Sequence, residues 1–279
     1  MSKIDTPVID FHMHPGPPWL PTERRLHKAV NMKEHLEQLL LDMDRAGIDR
    51  AVTMLLDEGW FQGNAGKRLI ALCKKELWDE RFIFCGMFDI FRPYEANDVL
   101  MNVENAAGMG VRGIKIHPVL QRITKADFPN LQLLVRKAEE LGMFVVVHAY
   151  SETIEEYDNM GLEIVAYIAA KANVPIIIAH AGGIDFSRAV ILAQRFSNIM
   201  IDLSYFYKLE NMLDLNMTLR WGISILGVGR FLFGSDHPSC QAAQYKERML
   251  ESLKEVGLNE PEIAMIMGKN ALRVLGVTK

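Results

Sequence analysis

The sequence predicts an α/β fold in which eight parallel strands and the helices between them form a (β/α)8, or TIM, barrel. Short apolar segments rich in β-branched residues alternate with segments of helical periodicity along the whole chain. Most of the strand-like segments recur roughly every thirty residues, which is the length of a βα unit. No linker, charge block or low-complexity tract divides the chain. We therefore expect residues 1–279 to form a single domain.

Eight segments have the composition of strands, and helical spacing of apolar residues predicts helices between them. The predicted strands are residues 8–14, 50–56, 81–90, 111–117, 143–150, 175–180, 199–204 and 230–236. The helices predicted from apolar spacing are residues 32–46, 130–141, 162–172, 185–196, 212–226, 241–256 and 261–275. Gly47 and Gly142 are typical helix stop signals, and Pro261 lies near the first position of the last helix, where its missing N–H is tolerated.

An open, doubly wound sheet is the alternative architecture. It would have a glycine-rich phosphate loop after its first strand, and the sequence has none there. Gly108 and Gly110 lie between a helix and the following strand, which is the wrong side for a dinucleotide-binding fingerprint. The closed barrel is therefore the better prediction.

Composition argues against several classes of function. The chain is 49% hydrophobic and 24% charged, with a net charge of -4 and a pI of about 6.1, so nothing indicates a nucleic-acid or anionic-membrane partner. The N-terminus lacks the apolar region of a signal peptide, and no apolar run is long enough to span a membrane. Cys73, Cys85 and Cys240 are scattered, which fits a reducing compartment. We expect a cytoplasmic protein, with a homodimer as the common default assembly.

Six of the eight histidines lie at, or one residue beyond, the carboxyl end of a predicted strand. They are His12, His14, His117, His148, His180 and His237. In a parallel barrel these strand ends meet at the face that carries the active site. His12 and His14 are two residues apart on one strand, so their side chains share a face and can close on one metal ion. His237 has the opposite parity to its neighbour Asp236 and is interpreted as a loop or supporting residue.

Polar side chains that end very apolar strands need a partner. His148 and His180 each follow four apolar residues, which makes both candidates for function. Asp236 is expected to face the barrel interior, where a buried carboxylate is unfavourable unless a cation or hydrogen-bond donors neutralise it.

Lys115 and His117 share one face of the fourth strand. A lysine at the mouth of a barrel must pair with a carboxylate, lower its pKa or be modified. The simplest structural explanation is an ion pair within the barrel, for which Asp10 is a candidate partner.

Taken together, these segments resemble the amidohydrolase superfamily. The similar motifs are Ile9-Asp10-Phe11-His12-Met13-His14, Gly113-Ile114-Lys115-Ile116-His117-Pro118, Val147-His148-Ala149, Ala179-His180-Ala181-Gly182-Gly183, Phe233-Gly234-Ser235-Asp236-His237-Pro238 and Gly268-Lys269-Asn270-Ala271. The most similar branch is the amidohydrolase-related (amidohydrolase 2) group, which includes aminocarboxymuconate-semialdehyde decarboxylase and TIM-barrel metal-dependent hydrolases. The resemblance implies a metallo-dependent hydrolase type of barrel.

The resemblance also implies a metal cofactor. It implies one divalent ion, usually zinc, with Mn²⁺ or Fe²⁺ as alternatives, bound by His12, His14, His148 and Asp236. It places His180 beside the metal as the residue that orients water or polarises the substrate. In two-metal branches a carboxylated lysine on the fourth strand bridges the ions and the histidine of the sixth strand is a ligand; Lys115 and His180 occupy those positions. We expect one ion rather than two.

The expected function is a metal-dependent hydrolase of a small amide, ester or lactone. Three imidazoles and one carboxylate leave a divalent ion an open position for water, whose pKa the ion lowers to about 7. Asp236 is then the expected proton acceptor, and His180 holds the water or stabilises the oxyanion. Two alternatives stay open: a non-oxidative decarboxylase of a small aromatic or cyclic carboxylate, which needs the same ligands, and a non-catalytic metal-binding barrel.

The loops that follow the strands are expected to form the pocket for a small-molecule substrate. The predicted substrate-binding residues are His117, Trp19, Gln121, Tyr150 and Tyr205. Further aromatic and cationic candidates in these loops are Trp60, Phe61, Arg92 and Arg122. Such groups suit a carboxylated, planar or cyclic substrate, although each can equally pack a loop or lie on the surface.

Overall fold

The computed structural model describes residues 6–15, 32–56, 65–90, 95–150, 160–211 and 213–277. Within them, eight parallel strands follow one another around a sheet in chain order. The strands are β1 Ile9–Met13, β2 Arg50–Leu55, β3 Phe82–Met87, β4 Gly113–Ile116, β5 Phe144–Val147, β6 Ile176–Ile178, β7 Ile199–Asp202 and β8 Phe231–Leu232. This topology confirms the predicted (β/α)8 barrel.

Helices lie between the strands and cover the outside of the barrel. The described helices are α1 Met32–Ala46, α2 Ala65–Lys75, α3 Ala96–Met109, α4 Phe128–Glu140, α5 Met160–Ala169, α6 Phe186–Arg195, α7 Leu215–Leu226, α8 Ala242–Glu255, α9 Glu260–Ala264 and α10 Asn270–Val274. The helices bury apolar residues against the strands; on α1 these include Leu36 and Met43, both fully buried. No helix among the described residues is both long and apolar enough to cross a membrane.

The predicted last helix, residues 261–275, is interrupted by a π-helical turn over Met265–Lys269 between α9 and α10. This turn brings Gly268 against the start of the barrel, where an added Cβ would lie 1.9 Å from the carbonyl oxygen of Pro7. Asn270 follows and donates from Nδ2 to the carbonyls of Val228 and Phe231, both at 2.8 Å. The segment therefore supports the barrel next to β1 and β8.

All eight strands end earlier than the sequence predicts, and after β6 and β8 the chain leaves the sheet before it reaches the polar residues. β6 ends at Ile178, and His180 adopts a left-handed conformation with φ of 57°. β8 ends at Leu232, and Asp236 is also left-handed, with φ of 62°. Both side chains are therefore oriented by sharp turns rather than by strand alternation.

The barrel is closed between β1 and the segment that follows β8. The amide of Phe11 donates to the carbonyl of Phe233 at 2.8 Å, and the amide of Asp236 donates to the carbonyl of His12 at 2.8 Å. The amide of His14 donates to the carbonyl of His237 at 2.7 Å. These bonds hold the two histidines of β1 directly beside Asp236.

An irregularity in β1 turns His12 towards the barrel interior. Between two paired positions β1 advances by three residues, from Asp10 to Met13, while β2 advances by two. A bulge of this kind places two successive side chains on the same side of the strand. Phe11 accordingly packs against Phe144 in the inner layer, with ring centroids 5.2 Å apart, and His12 also points inwards. Simple alternation fails at this point, although the two histidines still share a face as predicted.

Candidate metal centre

Three of the predicted metal ligands converge at the mouth of the barrel. His14 Nε2 lies 3.1 Å from Asp236 Oδ1, and His12 Nε2 lies 3.6 Å from the same oxygen. The three potential ligand atoms are all within 4.8 Å of one another. Two imidazoles and a carboxylate at this separation are a suitable donor set for a divalent transition-metal ion.

His12 is held by two residues that the sequence analysis missed. Its Nδ1 lies 2.6 Å from Asp202 Oδ2 and 3.2 Å from Ser204 Oγ, and all three side chains are fully buried. Gly234 makes this packing possible, because a Cβ there would lie 2.3 Å from Asp202 Oδ1. The signal in the sequence was an aspartate within the seventh predicted strand, residues 199–204, without a partner that could be named before the fold was known.

His148 and His180 lie beside this group and contact each other. His180 Nε2 is 3.1 Å from His148 Nδ1, and His180 Nδ1 is 3.0 Å from Ser204 Oγ. The rings of His12 and His180 have centroids 4.7 Å apart. His117 stacks on His148, with centroids 3.9 Å apart and an angle of 12° between the ring planes. In this structure His148 thus faces His180, and the three-residue group above does not include it.

Lys115 is 1% exposed and lies in the same cavity, with Nζ 3.4 Å from His12 Nε2. The predicted ion pair between Lys115 and Asp10 is wrong: among the described residues, Lys115 does not contact that carboxylate. Asp10 instead accepts hydrogen bonds at 3.0 Å from the amides of His12 and Ser235, which tie β1 to the segment after β8. The carboxylates whose charges act on Lys115 are those of Asp202 and Asp236.

Burial dominates the electrostatics of the site. It lowers the pKa of the histidine side chains well below 6.5, so the rings are neutral at neutral pH, which is the form that binds a metal. The affected rings are His12, His117, His148 and His180. Burial also lowers the pKa of Lys115 and raises the pKa of Asp202, which the hydrogen bonds from Ser204 oppose.

A cavity of about 310 Å³ opens above these groups. Its lining residues come from the loops after several strands and combine imidazole, aromatic and aliphatic groups: His12, His14, Leu56, Lys115, His117, Leu120, His148, Tyr150, His180, Tyr205, Asp236, Pro238 and Ser239. The rings of Tyr150 and Tyr205 meet edge to face, 5.2 Å apart, on one side of this cavity. The volume is that of a small-molecule site.

Two of the predicted pocket residues that the structure describes do not line this cavity. Gln121 uses both ends of its amide within the protein: Nε2 donates to the carbonyl of Phe88 at 2.6 Å, and Oε1 accepts from the amide of His117 at 2.7 Å. Gln121 and Arg122 are not among the residues that line the cavity. The candidates outside the described residues are Trp19, Trp60, Phe61 and Arg92. His237 lies 3.5 Å from Asp42 and takes no part in the lining.

Sequence comparison identifies the family. The profile of the amidohydrolase family matches residues 9–277, nearly the whole chain. The chain belongs to the amidohydrolase family. No curated protein shows significant sequence similarity to it.

Solved structures share the amidohydrolase barrel. An uncharacterised TIM-barrel protein from Bordetella bronchiseptica superposes with a TM-score of 0.75 at 18% identity, covering 97% of this chain and 98% of that one. For 5-carboxyvanillate decarboxylase from Sphingomonas paucimobilis the TM-score is 0.66 at 17% identity, over 98% and 100%. For 2,6-dihydroxybenzoate decarboxylase from Rhizobium it is 0.68 at 15%, over 98% of each chain. At these identities the likeness establishes a common fold.

The residues of this chain fit the divalent metal on which amidohydrolases usually depend. The donor set is two imidazoles and a carboxylate, and the Nδ1 side of His12 is already bonded to a buried carboxylate, as is usual for a metal-binding histidine. This leaves Nε2 of His12 directed at the position between His14 and Asp236.

Proposed function

We propose that this protein is a metal-dependent hydrolase of a small amide, ester or lactone, with Asp236 as its proton acceptor. The observation that carries the proposal is the position of Asp236 Oδ1, 3.1 Å from His14 Nε2 and 3.6 Å from His12 Nε2 at the base of an open cavity. Binding alone would not require a carboxylate that faces both the ligand group and the space for substrate.

The proposed ligands of one divalent ion, zinc by preference, are His12, His14 and Asp236, with His148 as the fourth. When bound, the ion supplies Lewis acidity, which polarises a substrate carbonyl and acidifies water. Lys115 and His180 would take part in binding only in a two-metal variant, which needs a carboxylated lysine.

In the proposed reaction, the carboxylate of Asp236 accepts a proton from the attacking water and returns it to the leaving group. His180 positions the water, since its ring lies between Ser204 and His148 and faces the cavity. There it accepts a hydrogen bond from the attacking water and so holds that water in place. His117, Tyr150 and Tyr205 are the proposed contacts of the substrate.

A second candidate function is non-oxidative decarboxylation of a small aromatic or cyclic carboxylate. The supporting observation is Lys115, a buried cationic side chain in a cavity where Asp236 is the single carboxylate among the described lining residues. Such a cavity favours an anionic substrate. The fold is shared with two decarboxylases of aromatic acids and with a candidate 2-pyrone-4,6-dicarboxylic acid hydrolase from Pseudomonas putida, so both reactions occur on this type of barrel.

The two candidates are distinguished by the fate of solvent atoms. The protein reconstituted with Zn²⁺ or Mn²⁺ is assayed against aromatic acids, lactones, amides and esters of small carboxylates. Hydrolysis in H₂¹⁸O adds one labelled oxygen to the acid product and releases no CO₂. Decarboxylation in D₂O releases CO₂ and places one deuteron on the carbon that lost it.

Asp236→Asn tests the assigned role. We expect turnover to fall by about 10²- to 10⁴-fold, the usual contribution of general acid–base catalysis, in a folded protein that retains some metal. Near-normal turnover would contradict the assignment. Asp127→Asn is the control, because it makes the same change at a buried carboxylate that bonds to Thr124 outside the cavity, and its turnover should equal that of the wild type.

A further inference from the structure

Two buried polar residues at the end of β7 connect the histidines of the site. Asp202 and Ser204 are both fully buried. Asp202 Oδ1 accepts the amide N–H of Ser204 at 2.9 Å, and Asp202 Oδ2 accepts the hydroxyl of Ser204 at 2.7 Å. The same Oδ2 lies 2.6 Å from Nδ1 of His12. One carboxylate therefore accepts two hydrogen bonds from Ser204 and contacts the ring of His12.

These contacts determine where the proton of His12 lies. A neutral imidazole carries a proton on one of its two nitrogens, and a carboxylate is an acceptor only. At 2.6 Å the Nδ1–H of His12 donates to Asp202, so the lone pair of the ring is on Nε2. That nitrogen is the one that faces Asp236, at 3.6 Å.

Ser204 extends the same constraint to His180. The single hydroxyl proton of Ser204 is donated to Asp202, so its oxygen can only accept from Nδ1 of His180, 3.0 Å away. His180 then carries its proton on Nδ1 and its lone pair on Nε2. The next contact, 3.1 Å from this Nε2 to Nδ1 of His148, gives His148 the same arrangement, with Nδ1 as the donor.

We propose that Asp202 and Ser204 are positioning residues that hold His12 and His180 as Nδ1–H tautomers and so direct the lone pair of each ring into the site. The inference rests on the proposed metal centre, because the lone pair of His12 is the one that would bind the ion. Asp202 acts on His12 directly, whereas Ser204 transmits the effect to His180. The two residues therefore have separable effects.

The test combines two measurements on the full-length protein. Long-range ¹H–¹⁵N spectra of ¹⁵N-histidine-labelled protein report the tautomer of each ring, first in the metal-free state and then with Zn²⁺. The His12 and His180 signals are assigned with His12→Gln and His180→Gln variants. Competition with a chelating dye reports the Zn²⁺ affinity. Neither measurement depends on catalytic activity.

Asp202→Asn and Ser204→Ala are expected to differ. Asparagine has one acceptor oxygen for three donors, so Asp202→Asn should change the His12 tautomer and weaken Zn²⁺ binding by about 10- to 100-fold. Ser204→Ala should change the His180 tautomer and leave Zn²⁺ affinity within about threefold of wild type, since His12 keeps Asp202.

Asp127→Asn is the matched control. Asp127 is also buried and accepts the amide and hydroxyl of Thr124, both at 2.8 Å, but it lies before α4, outside the lining of the cavity. This substitution should alter neither tautomer nor Zn²⁺ affinity.

An Nε2–H tautomer of His12 in the wild type, or wild-type tautomers and affinity in Asp202→Asn, would overturn the proposal. If Asp202→Asn does not fold, the wild-type spectrum and Ser204→Ala still decide it. A wild type that fails to bind Zn²⁺ would contradict the proposed function, while its metal-free spectrum would still report on the tautomers.

Discussion

Gly234→Ala introduces a single methyl group between Asp202, His12 and Ser204, where there is no space for it. The new Cβ would lie 2.3 Å from Asp202 Oδ1, 3.0 Å from the Cβ of His12 and 3.1 Å from the Cβ of Ser204. Separations under 3.0 Å are essentially never seen for a Cβ, so the carboxylate of Asp202 must move by roughly 0.7 Å. Asp202 is fully buried and cannot swing into solvent.

The displacement should affect both metal binding and stability. Loss of an oriented carboxylate partner usually weakens metal affinity 10- to 100-fold, which corresponds to about 1.4–2.7 kcal/mol. Overpacking of a filled interior adds a loss of about 1–3 kcal/mol in the free energy of unfolding. Zn²⁺ competition titrations measure the first effect and urea denaturation measures the second.

Gly108→Ala provides the control, because an added Cβ there has nothing within 4 Å and the residue lies inside α3. Its Zn²⁺ affinity should equal that of the wild type, and its stability should rise by about 0.5–1 kcal/mol, as expected for glycine to alanine in a helix. If the Zn²⁺ affinity of Gly234→Ala is within threefold of wild type, the inference that Asp202 positions His12 for metal binding is refuted.

Further predictions concern the ligands, the barrel support and the buried thiols. His14→Ala should remain folded and lose most of its metal by elemental analysis, and full occupancy would exclude His14 as a ligand. Gly268→Ala should lower the free energy of unfolding by at least about 1–3 kcal/mol in urea denaturation, because its Cβ would meet a backbone carbonyl at 1.9 Å; an unchanged midpoint would contradict this. Burial raises the pKa of Cys73 and of Cys85 to about 12, so both thiols stay protonated at pH 8 and should react with iodoacetamide only after denaturation, as mass spectrometry will show. Intact-protein mass should show Lys115 unmodified if one ion is bound, whereas an added mass of one CO₂ would indicate the two-metal variant.

The alternation of strands and helices was readable in the sequence because each element carries its own periodicity. Apolar runs such as that of β5 are needed where a strand is buried on both faces, and the spacing of Leu36, Leu39 and Met43 on α1 matches one face of a helix. The polar residues that end these runs were visible for the same reason: a histidine after four apolar residues stands out locally. The barrel then follows from the number of units and from the common handedness of their connections.

Which side chains of the site contact each other, and at what distance, depended on closure of the barrel. Asp202 and Ser204 lie about 190 residues from His12 in sequence, so no local pattern connects them. The orientation of Asp236 and His180 is decided by left-handed turns, and that of His12 by a bulge, none of which alternation along a strand can show. Lys115 faces His12 rather than Asp10, whose Oδ1 accepts from two backbone amides. By itself the sequence determined which polar residues follow the apolar runs and therefore which face of the barrel would carry them. Only the tertiary structure decided which of those groups touch, because contacts within 4 Å depend on turns, bulges and closure that join segments far apart in the chain.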